Sequence, residues 1–68
     1  MNIKFRSIYL KSIYHYIKLH DGQTILYKDI MDEYAITYPT VRKCVQWLLD
    51  RELIKKVGKK MWVASHYD

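Results

Sequence analysis

The chain has few of the residues that staple, kink or loosen a small protein. One cysteine, Cys44, excludes an intrachain disulfide, and with no second thiol there is no Cys pair to found a zinc site. A lone thiol suits a reducing compartment. One proline, Pro39, and two glycines, Gly22 and Gly58, leave no linker or low-complexity tract, and no internal repeat is present. No apolar run approaches the roughly 18 residues of a membrane span. The N-terminal stretch MNIKFRSIYLK is charged and interrupted where a signal peptide is continuously apolar. A soluble, cytoplasmic protein with no membrane partner is therefore expected.

Catalytic signatures are missing too. No glycine-rich phosphate loop, activated nucleophile or acid–base pair is visible. An enzyme is not expected, nor a cofactor, a bound metal or a small-molecule substrate. His15, His20 and His66 lack metal-ligand spacing. Asp29, Asp32 and Glu33 read as a solvated helix face rather than a carboxylate site. Cys44 falls on an apolar helical stripe and reads as buried filler, not a reactive thiol.

What is present is an apolar half and an uneven charge. Half the residues are hydrophobic, enough for a small core and too many for a disordered chain. A 68-residue chain makes one domain, spanning 1–68, that buries only about 60% of its unfolded surface, so stability is marginal. The net charge is +5. Residues 1–38 hold five Lys/Arg against four Asp/Glu, and residues 39–68 hold seven against three. Positive charge gathered in the C-terminal half points to a polyanionic partner, with nucleic acid first among the candidates.

Hydrophobic periodicity places the elements. Leu10, Ile13, Tyr14 and Ile17 recur at i, i+3, i+4, i+7 and predict a first helix from about Ser7 to Leu19, ended by Asp21-Gly22. Thr24-Ile25-Leu26 is long enough only for an edge strand. Tyr27, Ile30, Met31 and Tyr34 repeat the stripe and predict a short second helix, with Asp29 in its first turn, where the helix dipole favours acid. Ala35-Ile36-Thr37 is a tight connection. Thr37 is the expected N-cap of a third helix with Pro39 just inside it. That helix buries Val41, Cys44, Val45 and Leu48 and ends near Asp50-Arg51-Glu52. LIKKVGKKMWVAS then reads as two strands around Gly58-Lys59, and SHYD as a frayed tail. The predicted fold is mainly α with a small β-hairpin: a winged helix-turn-helix of three helices and a two- or three-stranded wing sheet.

The segment LYKDIMDEYAITYPTVRKCVQWLLDRELIKKVGKKMWV resembles the DNA-binding domains of GntR-type and related winged-helix repressors. Ile30 and Tyr34 match apolar positions of their second helix. Ala35-Ile36-Thr37 stands at the turn they write Gly-Val-Ser. Thr40-Val41-Arg42 matches the Thr-Val-Arg that opens their recognition helix. Leu53-Ile54 leads into the wing, and Gly58 matches the wing-tip glycine. The resemblance implies a sequence-specific duplex-DNA-binding regulator, a repressor of the kind found in bacteria, phages, plasmids or archaeal viruses, often dimeric on a palindrome. The chain departs from the pattern at three points. Ala35 replaces the turn glycine. Glu52 replaces a glycine at the end of the third helix, so it takes either a positive φ or a differently shaped cap. The ligand-sensing or dimerising domain usual in such regulators has no counterpart here.

On this reading Arg42, Lys43 and Gln46 read base edges, Tyr38 and Thr40 serve phosphates, and Lys55, Lys56, Lys59 and Lys60 contact phosphates or enter a minor groove from the wing. The lysines also blunt an edge strand against aggregation. Trp47 and Leu49 lie about 110° and 90° to either side of the core stripe. They are either a partner surface, such as a second copy of the chain, or are covered by Ile3 and Phe5 or by Trp62. Of seven tyrosines, Tyr14, Tyr27 and Tyr34 fit core stripes. Tyr9, Tyr16, Tyr38 and Tyr67 are the ones left to solvent, where they either fill space or stack unpaired bases. Two alternatives to the repressor stand beside it: a single-strand-binding replication or recombination accessory, and a protein-interaction winged helix centred on Trp47 and Leu49.

Overall fold

A computed structural model describes residues 7–65. Three helices precede an antiparallel hairpin: α1 (Ile8–Leu19), α2 (Tyr27–Tyr34), α3 (Tyr38–Asp50), β1 (Ile54–Gly58) and β2 (Met61–Ala64). Each helix turns its apolar stripe inward, where Leu10, Ile13, Tyr14 and Ile17 of α1 meet Ile30 of α2 and Val41, Cys44, Val45 and Leu48 of α3. Ile25, Leu53, Ile54, Trp62 and Ala64 close the same core. Ile13, Ile17, Ile25, Ile30, Val41 and Leu48 are fully buried, each contributing roughly 1.5–3 kcal/mol over an exposed state. Among the described residues no helix is long and apolar enough to cross a membrane.

The helix ends explain how so short a chain turns so sharply. Ser7 caps α1 by accepting the Leu10 N–H at 3.4 Å. Thr37 stands at the N-cap position of α3 but does not cap it, since its hydroxyl pairs with that of Thr40 at 3.0 Å. Pro39 in the first turn presets the backbone there. At the far end of α3, Glu52 N–H donates to the Leu49 carbonyl and Leu53 N–H to the Leu48 carbonyl, each at 3.0 Å. This bond pair is a Schellman cap, and it requires a left-handed residue at Glu52, whose φ is 57°. The cap buries Leu53 beside Leu48. α2 ends alike: Ala35 has φ 53° and Ile36 N–H reaches back to the Met31 carbonyl at 3.2 Å. Both positions that depart from glycine thus keep the glycine conformation and carry its strain.

The hairpin pairs Ile54 with Ala64, Lys55 with Val63 and Lys56 with Trp62, then shifts register before Gly58 pairs with Met61. Lys60, not Gly58, takes the positive φ, at 57°. A Cβ on Gly58 would lie 2.9 Å from Met61 Sδ, so the flexible Met61 side chain would have to shift to admit one. The expected edge strand at Thr24–Leu26 shrinks to one bridge, Thr24 to Met61. Backbone bonds from Gly22 N–H to Trp62 (3.1 Å) and from Ile25 N–H to Lys60 (2.7 Å) flank it. Asp21 then accepts the Ala64 N–H at 2.8 Å. The sheet proper has two strands.

Two further expectations are corrected. Ser65 is not frayed: its N–H bonds the Leu53 carbonyl at 2.8 Å, its hydroxyl the Glu52 carbonyl at 2.9 Å, and its own carbonyl accepts from Tyr14. His66, Tyr67 and Asp68 lie outside the described residues, as do Ile3 and Phe5. Tyr16 is not left to solvent. It is half-buried, stacked on His20 with centroids 4.3 Å apart and edge-on to Tyr34.

Candidate nucleic-acid interface

The exposed side of α3 divides into two flanks, because 100° per residue carries the chain round the helix faster than the core stripe repeats. Tyr38, Arg42, Gln46 and Leu49 follow one flank, and Thr40, Lys43 and Trp47 the other. The first flank faces the hairpin. Tyr38 and the hairpin lysines Lys56, Lys59 and Lys60 line one cleft of about 660 Å³ together with Tyr27, Lys28 and Trp62. No acidic side chain lines it. Tyr27 forms its wall, stacked on Trp62 (centroids 5.8 Å, planes 23° apart) and tilted against Tyr38 (5.8 Å). Lys56 Nζ stands 5.7 Å from the Trp62 ring centroid. The Trp62 ring is buried, and its indole N–H finds no acceptor among the described residues.

Burial pushes the Tyr27 hydroxyl above its ordinary value of 10.0, Tyr38 adds to the rise, and the Arg42 charge opposes it. The Arg42 guanidinium is therefore felt on the cleft side of α3. Gln46 donates to the Asp50 carboxylate at 2.8 Å, so its amide must exchange that bond before it can pair with a base. Lys55 lines a separate cleft of about 530 Å³ beside Leu49 and Glu52. Lys43 lines a third, of about 290 Å³, with Ser7, Leu10, Cys44 and Trp47.

Trp47 and Leu49 do not form one patch. Both are half-buried against the core, but Trp47 lies toward the start of α1 and Leu49 toward the base of the hairpin. Arg51 covers the Trp47 ring, its Cζ 3.9 Å from the centroid. Trp62 is occupied with Tyr27.

The surroundings of Tyr16 and Tyr34 are electrically different. The Tyr16 and Tyr34 hydroxyls are raised first by burial; Asp29 and Glu33 add to the rise at Tyr16, and Glu33 at Tyr34. Acid therefore stands beside those rings, whereas no acid lines the cleft that holds Tyr27 and Tyr38. Tyr27, Lys28 and Trp62 were not among the sequence candidates. Tyr27 and Trp62 are far apart in the chain, and only the tertiary fold brings their rings together.

Set beside family models, curated proteins and solved structures, the chain matches none of them.

Proposed function

We propose that the protein is a winged helix-turn-helix that binds duplex DNA sequence-specifically and acts as a small transcriptional repressor by occupying its site. One observation carries this reading: Tyr38 on the exposed flank of α3 opens onto the same acid-free cleft as Lys56, Lys59 and Lys60 of the hairpin. A helix laid in a major groove with a basic hairpin beside it needs that convergence.

In this reading Arg42 pairs bidentately with guanine, and Gln46 leaves Asp50 to pair with adenine. Lys43 extends the contact along the far flank of α3. Tyr38 and Thr40 meet phosphates at the start of the helix, while the hairpin lysines displace counterions from the adjoining backbone. The order helix, helix, helix, hairpin supports the fold assignment, as do the left-handed turn at Ala35 and the cap at Glu52. A gel shift comparing a promoter duplex, a random duplex and a single strand across a salt series tests the proposal. Preference for the promoter duplex is expected. Preference for the single strand overturns the repressor reading, and no binding to any of them at low salt points to a protein partner.

A further inference from the structure

The cleft between α2 and the hairpin has features that a groove-reading helix does not use. Its volume of about 660 Å³ falls in the range of sites that enclose small ligands, roughly 300–1,000 Å³. Its wall is aromatic, and Tyr38 is 47% exposed, leaving ring surface open to a partner. Lys28, Lys59 and Lys60 stand at its rim with no acid among the lining residues. The first turn of α2, which supplies Tyr27 and Lys28, also holds Asp29, outside the cleft lining, whose charge offsets the helix dipole, so the positive field of the cleft is that of its lysines.

An aromatic wall within a cationic rim suits a flat ring joined to an anion. A cationic ligand is repelled, and a purely apolar one leaves the lysines without counter-charge. Bases inside a duplex show only their edges, so a base offers its face to such a wall only when unstacked. We propose that this cleft binds one unstacked nucleotide of a DNA strand, its base against Tyr27 and Tyr38 and its phosphates on Lys28, Lys59 and Lys60. This rests on the DNA-binding reading above. It adds a structure preference: duplex that carries an unpaired tail is bound ahead of blunt duplex.

Fluorescence anisotropy of the full chain with labelled DNA tests it. The probes are a blunt duplex, the same duplex with a short unpaired tail, and the free mononucleotide as competitor. Stacking one base on an aromatic side chain corresponds to about tenfold in affinity, so the tailed duplex is expected to bind about tenfold tighter than the blunt one. Lys28→Ala should remove most of that advantage and leave blunt-duplex affinity nearly unchanged; Tyr27→Leu should also remove most of it, whereas Tyr27→Phe keeps it. Lys28 is exposed, so Lys28→Ala stays folded even where Tyr27→Leu does not, and a thermal melt of each variant verifies this.

Equal affinity for blunt and tailed duplex overturns the cleft proposal and leaves the duplex reading standing. A Lys28-dependent tail preference without blunt-duplex binding keeps the cleft and overturns the duplex reading. A tail advantage that survives both Lys28→Ala and Tyr27→Leu places the strand elsewhere. Competition by free mononucleotide as strong as that of the tail makes the cleft a small-nucleotide site, which also overturns the proposal.

Discussion

Glu52 joins α3 to the hairpin with its backbone at φ 57°, and replacing it tests the strain directly. A non-glycine residue in the left-handed region costs about 1–2 kcal/mol, because its Cβ crowds the following carbonyl. Glycine removes that crowding but loses roughly 0.5–1 kcal/mol through the extra freedom of the unfolded chain. The net gain for Glu52→Gly is therefore about 0.5–1 kcal/mol. In a domain of this size that corresponds to roughly 2–8 °C in Tm. Glu52→Ala is the necessary control, since it removes the carboxylate and keeps the Cβ. The difference between the two variants then isolates the backbone. Thermal unfolding followed by far-UV circular dichroism reads it. The cap hydrogen bonds to Leu48 and Leu49 and the Ser65 bond to the Glu52 carbonyl use backbone atoms only at residue 52, so both variants retain them. If Glu52→Gly melts at or below Glu52→Ala, the left-handed cap is not strained and the account of this joint fails.

The remaining predictions concern charge, titration and one glycine. Arg42→Ala should cost about 1–3 kcal/mol in duplex binding and relax base preference at one position; unchanged specificity in a selection from random duplexes would remove α3 as the reading element. Lys59→Ala should weaken all sequences alike and reduce the slope of log affinity against log salt by about one, so a sequence-dependent loss would contradict a phosphate role. Burial raises the Cys44 thiol above its ordinary 9.0, and burial foremost raises Tyr16, Tyr27 and Tyr34 above 10.0. The folded state therefore holds protons that the unfolded chain releases, and stability should fall as pH rises above about 9. Cys44→Ala should flatten the first part of that fall in a urea titration series, and an unaltered curve would refute the assignment. Gly22, at φ 75° with open space around its Cβ position, should lose about 0.5–1 kcal/mol on conversion to Ala, the backbone strain less what a less free unfolded chain returns; a Tm equal to the parent's would contradict this.

Local interactions carried most of the fold. The stripes of α1, α2 and α3 were legible because an apolar face repeats every 3.6 residues whatever lies opposite, and Ile13, Ile17, Ile30, Val41 and Leu48 are all buried as those stripes require. The turn after α2 and the end of α3 were marked as glycine places only by the resemblance to winged-helix repressors, not by local pattern. Which residue bends the hairpin was not legible: Gly58 was the evident candidate, yet Lys60 takes the positive φ, because the register shift beyond Lys56 moves the sharp residue two places along. Thr37 shows another limit: residue type marked the N-cap position, but its exposed hydroxyl pairs with that of Thr40 one turn on and not with the backbone.

The sequence by itself determined three amphipathic helices, a basic hairpin, and a positive charge gathered beside the third helix, all properties of residues within a turn or two of each other. Only the tertiary structure decided that Tyr16 turns toward Tyr34 and the acids of α2, and that Tyr27, Tyr38 and Trp62 wall one cleft beneath lysines from two elements. These pairings join residues distant in the chain. They are set by how α2 and the hairpin pack on a shared core, and no periodicity within either element encodes that.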